Sequence, residues 1–149
     1  MPSFAMSAIS VNLHLVAPDA ASAIRSLAGL LVKTPGVVDP QRLLTDILAR
    51  EALTCTFLGS GLALPHARTD AVTERVLAVG RSHDGVPFGP AGERAHLIVL
   101  IGCPKHEIKA YLDCNRRLLN RLRDPAVRTQ LMTTDDPAAF HHLLGLDVE

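Results

Sequence analysis

The chain has 149 residues, enough for one domain with its own core, and that core must be aliphatic because 48% of residues are hydrophobic but only 3% aromatic. Basic and acidic residues number 15 each, so the zero net charge gives no reason to expect nucleic acid or an anionic membrane as partner. Three cysteines without a C-x-x-C pair argue against disulfides and thiolate zinc sites. With no signal-like start and no apolar run approaching about 20 residues, we expect a soluble, cytoplasmic protein without membrane insertion.

The first half of the chain predicts a strand followed by two helices. Apolar and polar residues alternate over residues 9–15, as in a half-buried strand. Asp19 follows Pro18 and predicts the start of a helix that runs to about Val32. Asp39 followed by Pro40 predicts a second helix, over residues 40–50, because aspartate is a favourable N-cap and proline suits the first helical position. Residues 54–58 and 62–64 are then expected to be extended.

The second half predicts further strands and then helices. Residues 76–81 form a strand pattern, Asp84-Gly85 predicts a turn, and the apolar run 95–101 is typical of a central strand buried on both faces. Residues 107–122 predict a helix with Ile108, Leu112, Leu119 and Leu122 along one side, and Tyr111 beside Leu112 is expected to pack in the core or at its rim. Two further Asp-Pro pairs, at residues 124–125 and 136–137, predict short helices. This order favours one layered α/β domain.

The segment Gly-Leu-Ala-Leu-Pro-His-Ala-Arg, residues 61–68, is the first candidate site. Because proline gives no N–H to a β-ladder, we expect the strand to end at Pro65 and His66 to lie where the chain turns out to the surface. A histidine there, with small neighbours and a nearby cation, can attack or carry a phosphoryl group. On this short motif alone, an inert loop histidine is the stronger interpretation.

Other chemistries find less support in the sequence. His141 and His142 are adjacent and cannot face the same way on a helix, and His83, His96 and His106 lie in different predicted elements without ligand spacing. We therefore expect no metal site. The chain has no G-x-S-x-G elbow and no glycine-rich nucleotide loop, so a serine hydrolase is not expected and no cofactor is predicted.

A wider match changes the interpretation of His66. The segments Arg-Glu-Ala-Leu-Thr-Cys-Thr, residues 50–56, and Gly-Leu-Ala-Leu-Pro-His-Ala-Arg, residues 61–68, together resemble the enzyme IIA domains of the fructose/mannitol type. These belong to the phosphoenolpyruvate-dependent sugar phosphotransferase system and include its nitrogen-regulatory branch. Gly-Val-Pro-Phe at residues 85–88, the strand over 96–101 and the helix over 111–119 follow in the family's order. The resemblance covers roughly residues 9–144 and implies a single domain over 1–149, with a mixed sheet flanked by helices on both faces.

The resemblance implies roles for the matching residues. His66 corresponds to the phosphoryl acceptor, which takes the group from the phosphocarrier protein HPr or its nitrogen-branch counterpart. Arg50 resembles the family's active-site arginine, whose planar fork suits a bidentate phosphate contact. Thr56 and Arg68 are weaker phosphate-binding candidates, and a structural role in the turn is equally expected for Thr56. A IIB domain, a kinase or a transporter is the implied downstream partner.

Tyr111 departs from the family pattern. The family usually has a second histidine at this position, beside the phosphoryl acceptor, and a phenol cannot become cationic near pH 7 as an imidazole can. We expect that His66 is still phosphorylated but that the phosphoryl chemistry is altered and transfer to a permease is weak. The alternative is a regulatory module of the same fold that docks on a kinase, transporter or transcription factor with little or no phosphotransfer, since fold alone does not fix function.

Overall fold

The computed structural model describes residues 8–145, with only the backbone of Ala8, and this part of the chain forms two compact units, residues 8–105 and 106–145. The prediction of a single domain over 1–149 stays a prediction. The first unit contains two helices and six strands: β1 (Ala8–Asn12), α1 (Ala20–Gly29), α2 (Pro40–Leu53), β2 (Phe57–Gly59), β3 (Leu62–Ala63), β4 (His66–Arg68), β5 (Val76–Pro87) and β6 (Arg94–Cys103).

The six strands form one mixed sheet in the order β1-β5-β6-β3-β2, with β4 also paired to β6. Strands β5 and β6 are antiparallel, whereas β3 and β4 both run parallel to β6 and β1 runs parallel to β5. Strand β6 is buried from Leu97 to Cys103, as its near-continuous apolar sequence predicts for a strand covered on both faces. The predicted mixed sheet is confirmed.

The two helices of this unit begin where the aspartates predicted. The Asp19 carboxylate accepts a hydrogen bond from the Ser22 backbone N–H at 2.8 Å, and Asp39 accepts one from the Arg42 N–H at 3.0 Å. Helix α2 continues to Leu53, three residues beyond its predicted end. Arg50 therefore lies within the last turn of α2, where a cation is favoured by the helix dipole.

The prediction that the chain leaves the sheet at Pro65 is wrong. Strand β3 does end before this proline, but the chain re-enters the sheet at His66, the first residue of β4. The reason is that proline lacks only the donor: the Pro65 carbonyl still accepts a hydrogen bond from the Ile101 N–H, at 3.0 Å. The backbone of His66 is consequently fixed by β6 instead of lying in a surface turn.

The predicted turn at Asp84-Gly85 is also wrong, because both residues lie inside β5. The pairing of β5 with β6 shifts register between Arg81 and Val86, and Gly85 absorbs the irregularity with a φ of 83°. Its backbone N–H donates to the Ser82 hydroxyl at 3.0 Å. A glycine after an aspartate thus marks a bulge within a strand as well as a hairpin turn.

The second unit contains three helices: α3 (Ile108–Leu122), α4 (Pro125–Thr133) and α5 (Pro137–Leu143). Asp124 and Asp136 cap α4 and α5 as predicted. Of the residues predicted along one side of α3, Leu122 is buried, Leu119 is half-buried, and Ile108 and Leu112 are exposed. The buried residues of α3 are Tyr111, Cys114, Leu118 and Leu122. Both sets have helical spacing, and the buried one includes Cys114, which a purely aliphatic pattern overlooks. Within residues 8–145, no helix is long and apolar enough to cross a membrane.

Candidate functional site

His66 is presented on one face of strand β4. In the parallel pairing with β6, His66 lies opposite Ile101 and Arg68 lies opposite Cys103. Side chains alternate along a strand, and Ala67 between them is buried on the inner face, so His66 and Arg68 share the other face. The His66 ring is half-buried and Arg68 is exposed. Two of the predicted site residues therefore lie side by side.

The orientation of the His66 ring is set by a short local hydrogen bond. Its Nδ1 atom lies 2.6 Å from the carbonyl oxygen of Leu64, two residues earlier. Because a carbonyl oxygen can only accept, Nδ1 must carry the hydrogen. In the neutral ring the lone pair is then on Nε2, which makes Nε2 the nucleophilic nitrogen.

The surroundings favour the neutral form of His66. Burial is the largest influence and lowers the pKa of the imidazole; the nearby positive charge of Arg50 lowers it further. The hydrogen bond to Leu64 and the negative charge of Glu51 act in the opposite direction but do not outweigh burial, so the pKa lies below its usual value of 6.5. Most His66 side chains are consequently uncharged at neutral pH and able to attack an electrophile.

Arg50 and Glu51 approach His66 from the last turn of α2. Both residues are half-buried, and both charges act on the imidazole. A guanidinium whose charge reaches an imidazole is chemically suited to offset the negative charge of a phosphoryl group, because its fork matches the geometry of phosphate oxygens. Arg50 is therefore brought into the neighbourhood of His66, as the sequence match implied.

Thr56 is held by Glu51. Its hydroxyl donates to Glu51 Oε1 at 2.7 Å and its backbone N–H donates to Oε2 at 2.9 Å. The side chain is only 6% exposed, and its hydroxyl hydrogen is used within the protein. This arrangement supports the structural role of Thr56 over direct phosphate contact. Glu51 was not singled out from the sequence, although it stands in the Arg-Glu pair of the family match.

A second carboxylate connects α2 to the chain beyond His66. The Thr69 hydroxyl donates to Asp46 Oδ2 at 2.6 Å, and Arg42 contacts the same carboxylate at 3.0 Å. Thr69 is fully buried, and its backbone N–H donates to the Cys103 carbonyl at 2.8 Å. Neither Asp46 nor Thr69 was predicted, because they are 23 residues apart and carry no local motif.

Tyr111 lies in α3, in the other compact unit, and is 7% exposed.

Within residues 8–145, no group of three or more His, Cys, Asp or Glu side chains is placed to hold a metal ion. The groups that act on the His66 imidazole include the Arg50 guanidinium, the Glu51 carboxylate and the Leu64 carbonyl. Such a set suits the binding and transfer of a compact anionic group.

A histidine on a mixed α/β sheet, with its lone pair on Nε2 and under the influence of an arginine charge, has the chemistry of a domain that carries an anionic group. The chain matches, over residues 5–145, the family described as Phosphoenolpyruvate-dependent sugar phosphotransferase system, EIIA 2. The chain belongs to this family, which confirms the resemblance found in the sequence.

Individual relatives agree with this assignment. The chain is similar to the PTS system fructose-specific EIIA component of Haloferax volcanii, with 30% identity over 85% of this chain and 83% of the relative. It is also 30% identical, over 91% of its own length, to the PTS system fructose-specific EIIABC component of Bacillus subtilis. It spans only 22% of that longer relative.

A solved structure matches the same fold. The complex of enzyme IIA mannitol and phosphorylated enzyme IIB mannitol from Escherichia coli contains a chain that superimposes with a TM-score of 0.80 at 28% identity. The match covers 91% of this chain and 94% of that one. The predicted fold class is confirmed by this agreement.

Proposed function

We propose that this chain is a cytoplasmic phosphoryl carrier that receives a phosphoryl group on His66 from HPr or a nitrogen-branch phosphocarrier. The observation that supports this most is the short hydrogen bond between His66 Nδ1 and the Leu64 carbonyl, at 2.6 Å. It leaves the lone pair of a neutral imidazole on Nε2, beside the charge of Arg50. Family membership supports the reaction class, and this geometry supports His66 as the acceptor.

The transfer requires no external base. The Nε2 lone pair of His66 attacks phosphorus, a new N–P bond forms, and the bond that held the phosphoryl group on the donor breaks. The hydrogen on Nδ1 stays in place, so the phosphorylated ring acquires a positive charge that the Leu64 carbonyl stabilises. Arg50 balances the negative charge spread over the phosphoryl oxygens, and catalysis is then mainly positioning and electrostatic stabilisation.

The downstream acceptor we propose is a IIB-type domain in sugar uptake. Support comes from relatives that are named fructose-specific and from a structural neighbour that is a complex of enzyme IIA mannitol with phosphorylated enzyme IIB mannitol. Nitrogen or metabolic regulation is the other role that the family offers. Sugar uptake and regulation are distinguished by which phosphocarrier phosphorylates the chain and by which acceptor receives the phosphoryl group from it.

Incubation with phosphoenolpyruvate, enzyme I and HPr tests the proposal. The chain is expected to gain acid-labile phosphate and to lose it when a fructose-type or mannitol-type IIB domain is added. A His66→Ala variant that remains folded is expected to gain none. An unlabelled wild-type chain, with an authentic IIA domain labelled in parallel and a nitrogen-branch phosphocarrier also tried, would overturn the proposal.

The regulatory alternative rests on Tyr111, which stands where the family usually has its second histidine. A module that docks without phosphotransfer would bind its partner equally well as wild type and as His66→Ala. A phosphoryl carrier would instead lose its function with His66. Measuring partner binding in both forms, with and without phosphoenolpyruvate, distinguishes the two candidates.

A further inference from the structure

Two carboxylate–threonine pairs connect helix α2 to the chain on either side of His66. Glu51 binds Thr56 before His66 through two bonds of 2.7 and 2.9 Å. Asp46 binds Thr69 after it through one bond of 2.6 Å. Both acids lie on the helix that carries Arg50. The helix that supplies the cation is thus attached at two points to the segment that supplies the imidazole.

The first pair is linked to the His66 ring by consecutive hydrogen bonds. Thr56, fixed by Glu51, accepts a bond from the Leu64 backbone N–H at 3.1 Å through its carbonyl oxygen. Leu64 in turn accepts the Nδ1 hydrogen of His66 at 2.6 Å. A displacement of Thr56 therefore shifts the carbonyl that selects the tautomer of His66.

The second pair fixes the exit from β4. The Thr69 oxygen accepts a hydrogen bond from the Ala71 N–H at 3.0 Å, so its own hydroxyl hydrogen is directed to Asp46. Burial tends to raise the pKa of Asp46, but hydrogen bonds from Thr69 and Arg42 outweigh it and hold the pKa below its usual value. Asp46 is therefore ionised at neutral pH, and hydrogen bonds to an ionised acceptor are stronger than neutral ones.

We propose that Asp46 and Glu51 are positioning residues for phosphoryl transfer, which hold β4 and the His66 ring at a fixed distance from Arg50 through Thr69 and Thr56. Asp46 precedes Arg50 by four residues, one turn of the helix, and Glu51 follows it directly. The bonds they make consequently determine the placement of Arg50 along the His66 segment. This inference rests on the proposed function, because only a transfer reaction requires that distance.

Paired threonine variants isolate the two hydroxyl bonds. Thr56→Val and Thr69→Val keep the branched shape but remove the donor, whereas Thr56→Ser and Thr69→Ser keep the donor. Thr45→Val changes an exposed threonine of α2 and is the matched control. Each variant is measured for its melting temperature, its phosphorylation rate with phosphoenolpyruvate, enzyme I and HPr, and the ¹⁵N shifts of the His66 ring over a pH titration.

The valine variants are expected to lose at least about tenfold in phosphorylation rate, since misplacement of reacting groups by about 1 Å can cost a hundredfold. Thr56→Val should also give a mixture of His66 tautomers, and Thr69→Val should raise the pKa of His66 by moving Arg50 away. The serine variants and the Thr45→Val control should remain within about twofold of wild type, as expected when the required hydroxyl is present.

Valine variants that match wild type in rate, tautomer and titration would overturn the proposal, as would serine variants that fall as far as the valine ones. If a valine variant does not fold, Asp46→Leu and Glu51→Met, which keep the approximate side-chain shape but remove the oxygens that accept from Thr69 and Thr56, must show the loss. The ring measurements use the unphosphorylated protein. They therefore decide on the positioning even if wild type accepts no phosphate, an outcome that would count against the proposed function instead.

Discussion

The Nδ1 atom of His66 lies 2.6 Å from the carbonyl oxygen of Leu64, so one nitrogen of the ring is occupied as a donor. The other nitrogen, Nε2, then holds the lone pair of the neutral ring. We predict that phosphate is attached to Nε2 in the phosphorylated chain. Heteronuclear ³¹P and ¹⁵N NMR of ring-labelled protein distinguishes the two nitrogens, and a phosphoryl group on Nδ1 would contradict the assigned tautomer.

The charges beside His66 predict how its titration changes in variants. Burial lowers its pKa most, with Arg50 adding to the lowering and Glu51 opposing it. Arg50→Gln should therefore raise the pKa of His66, and Glu51→Gln should lower it further. An NMR titration of the ring checks both directions, with the exposed Arg25→Gln as a control on α1.

The same shift makes a small contribution to stability that depends on pH. Because the pKa of folded His66 lies below its usual 6.5, the unfolded chain binds more protons between the two values. The contribution is complete above pH 6.5 and is lost as the pH falls toward the folded pKa. Chemical unfolding at several pH values should show this loss in wild type and not in His66→Gln. An equal loss of stability in wild type and in His66→Gln would show that other titrating groups cause the pH dependence.

Local signals in the sequence predicted the parts of the fold that depend on neighbouring residues. Asp39-Pro40 and Asp124-Pro125 predicted helix starts because capping involves only the first turn. The pairing of β4 with β6 could not be predicted in this way, since it brings His66 opposite Ile101 across 35 positions, and a three-residue strand has no periodicity of its own.

The candidate site was predicted unevenly for the same reason. His66 and Arg50 were identified because short segments around them match a family. Asp46 and Thr69 make one of the shortest bonds near the site, at 2.6 Å, yet each is an ordinary polar residue in its own segment. Their relationship exists only after α2 has packed near β4, so only the three-dimensional structure reveals it.

The close packing of α2 against β6 at Gly102 is expected to affect phosphorylation of His66. It pairs with Ala67 of β4, and a Cβ atom added to it would lie 2.9 Å from Leu43 Cδ1 of α2 and 3.2 Å from Val76 Cγ2. Gly102→Ala should therefore force the buried Leu43 side chain of α2 to move, destabilise the fold by about 1–3 kcal/mol and slow phosphorylation of His66. Urea unfolding and a phosphorylation time course measure the two effects.

The control for that substitution is Gly29→Ala, at the end of α1. An added Cβ there meets no atom within 4 Å, so it should leave the phosphorylation rate unchanged and raise stability by up to about 1 kcal/mol. If Gly102→Ala were as stable and as active as wild type, the close approach of Leu43 to β6 would not matter for the site.

The tyrosine at position 111 is expected to affect the lifetime of the phosphorylated chain and the transfer of its phosphoryl group. By resemblance, this position holds a second histidine that orients or stabilises the phosphorylated form. Tyr111→His should therefore change the lifetime of the phosphorylated chain and speed transfer to a IIB domain, whereas Tyr111→Phe, which supplies no imidazole, should not speed transfer. Chase experiments from the isolated phosphorylated protein measure both. Equal transfer by all three proteins would show that this position does not control the reaction.

Peptide mapping by mass spectrometry tests most directly whether His66 receives the phosphoryl group. The chain is incubated with phosphoenolpyruvate, enzyme I and HPr, digested at neutral to basic pH and compared with Arg50→Gln. We expect phosphate on the peptide that contains His66, with much slower loading in the Arg50 variant. Phosphate on another residue, or an unmodified His66 peptide while an authentic IIA domain is loaded alongside, would contradict the account.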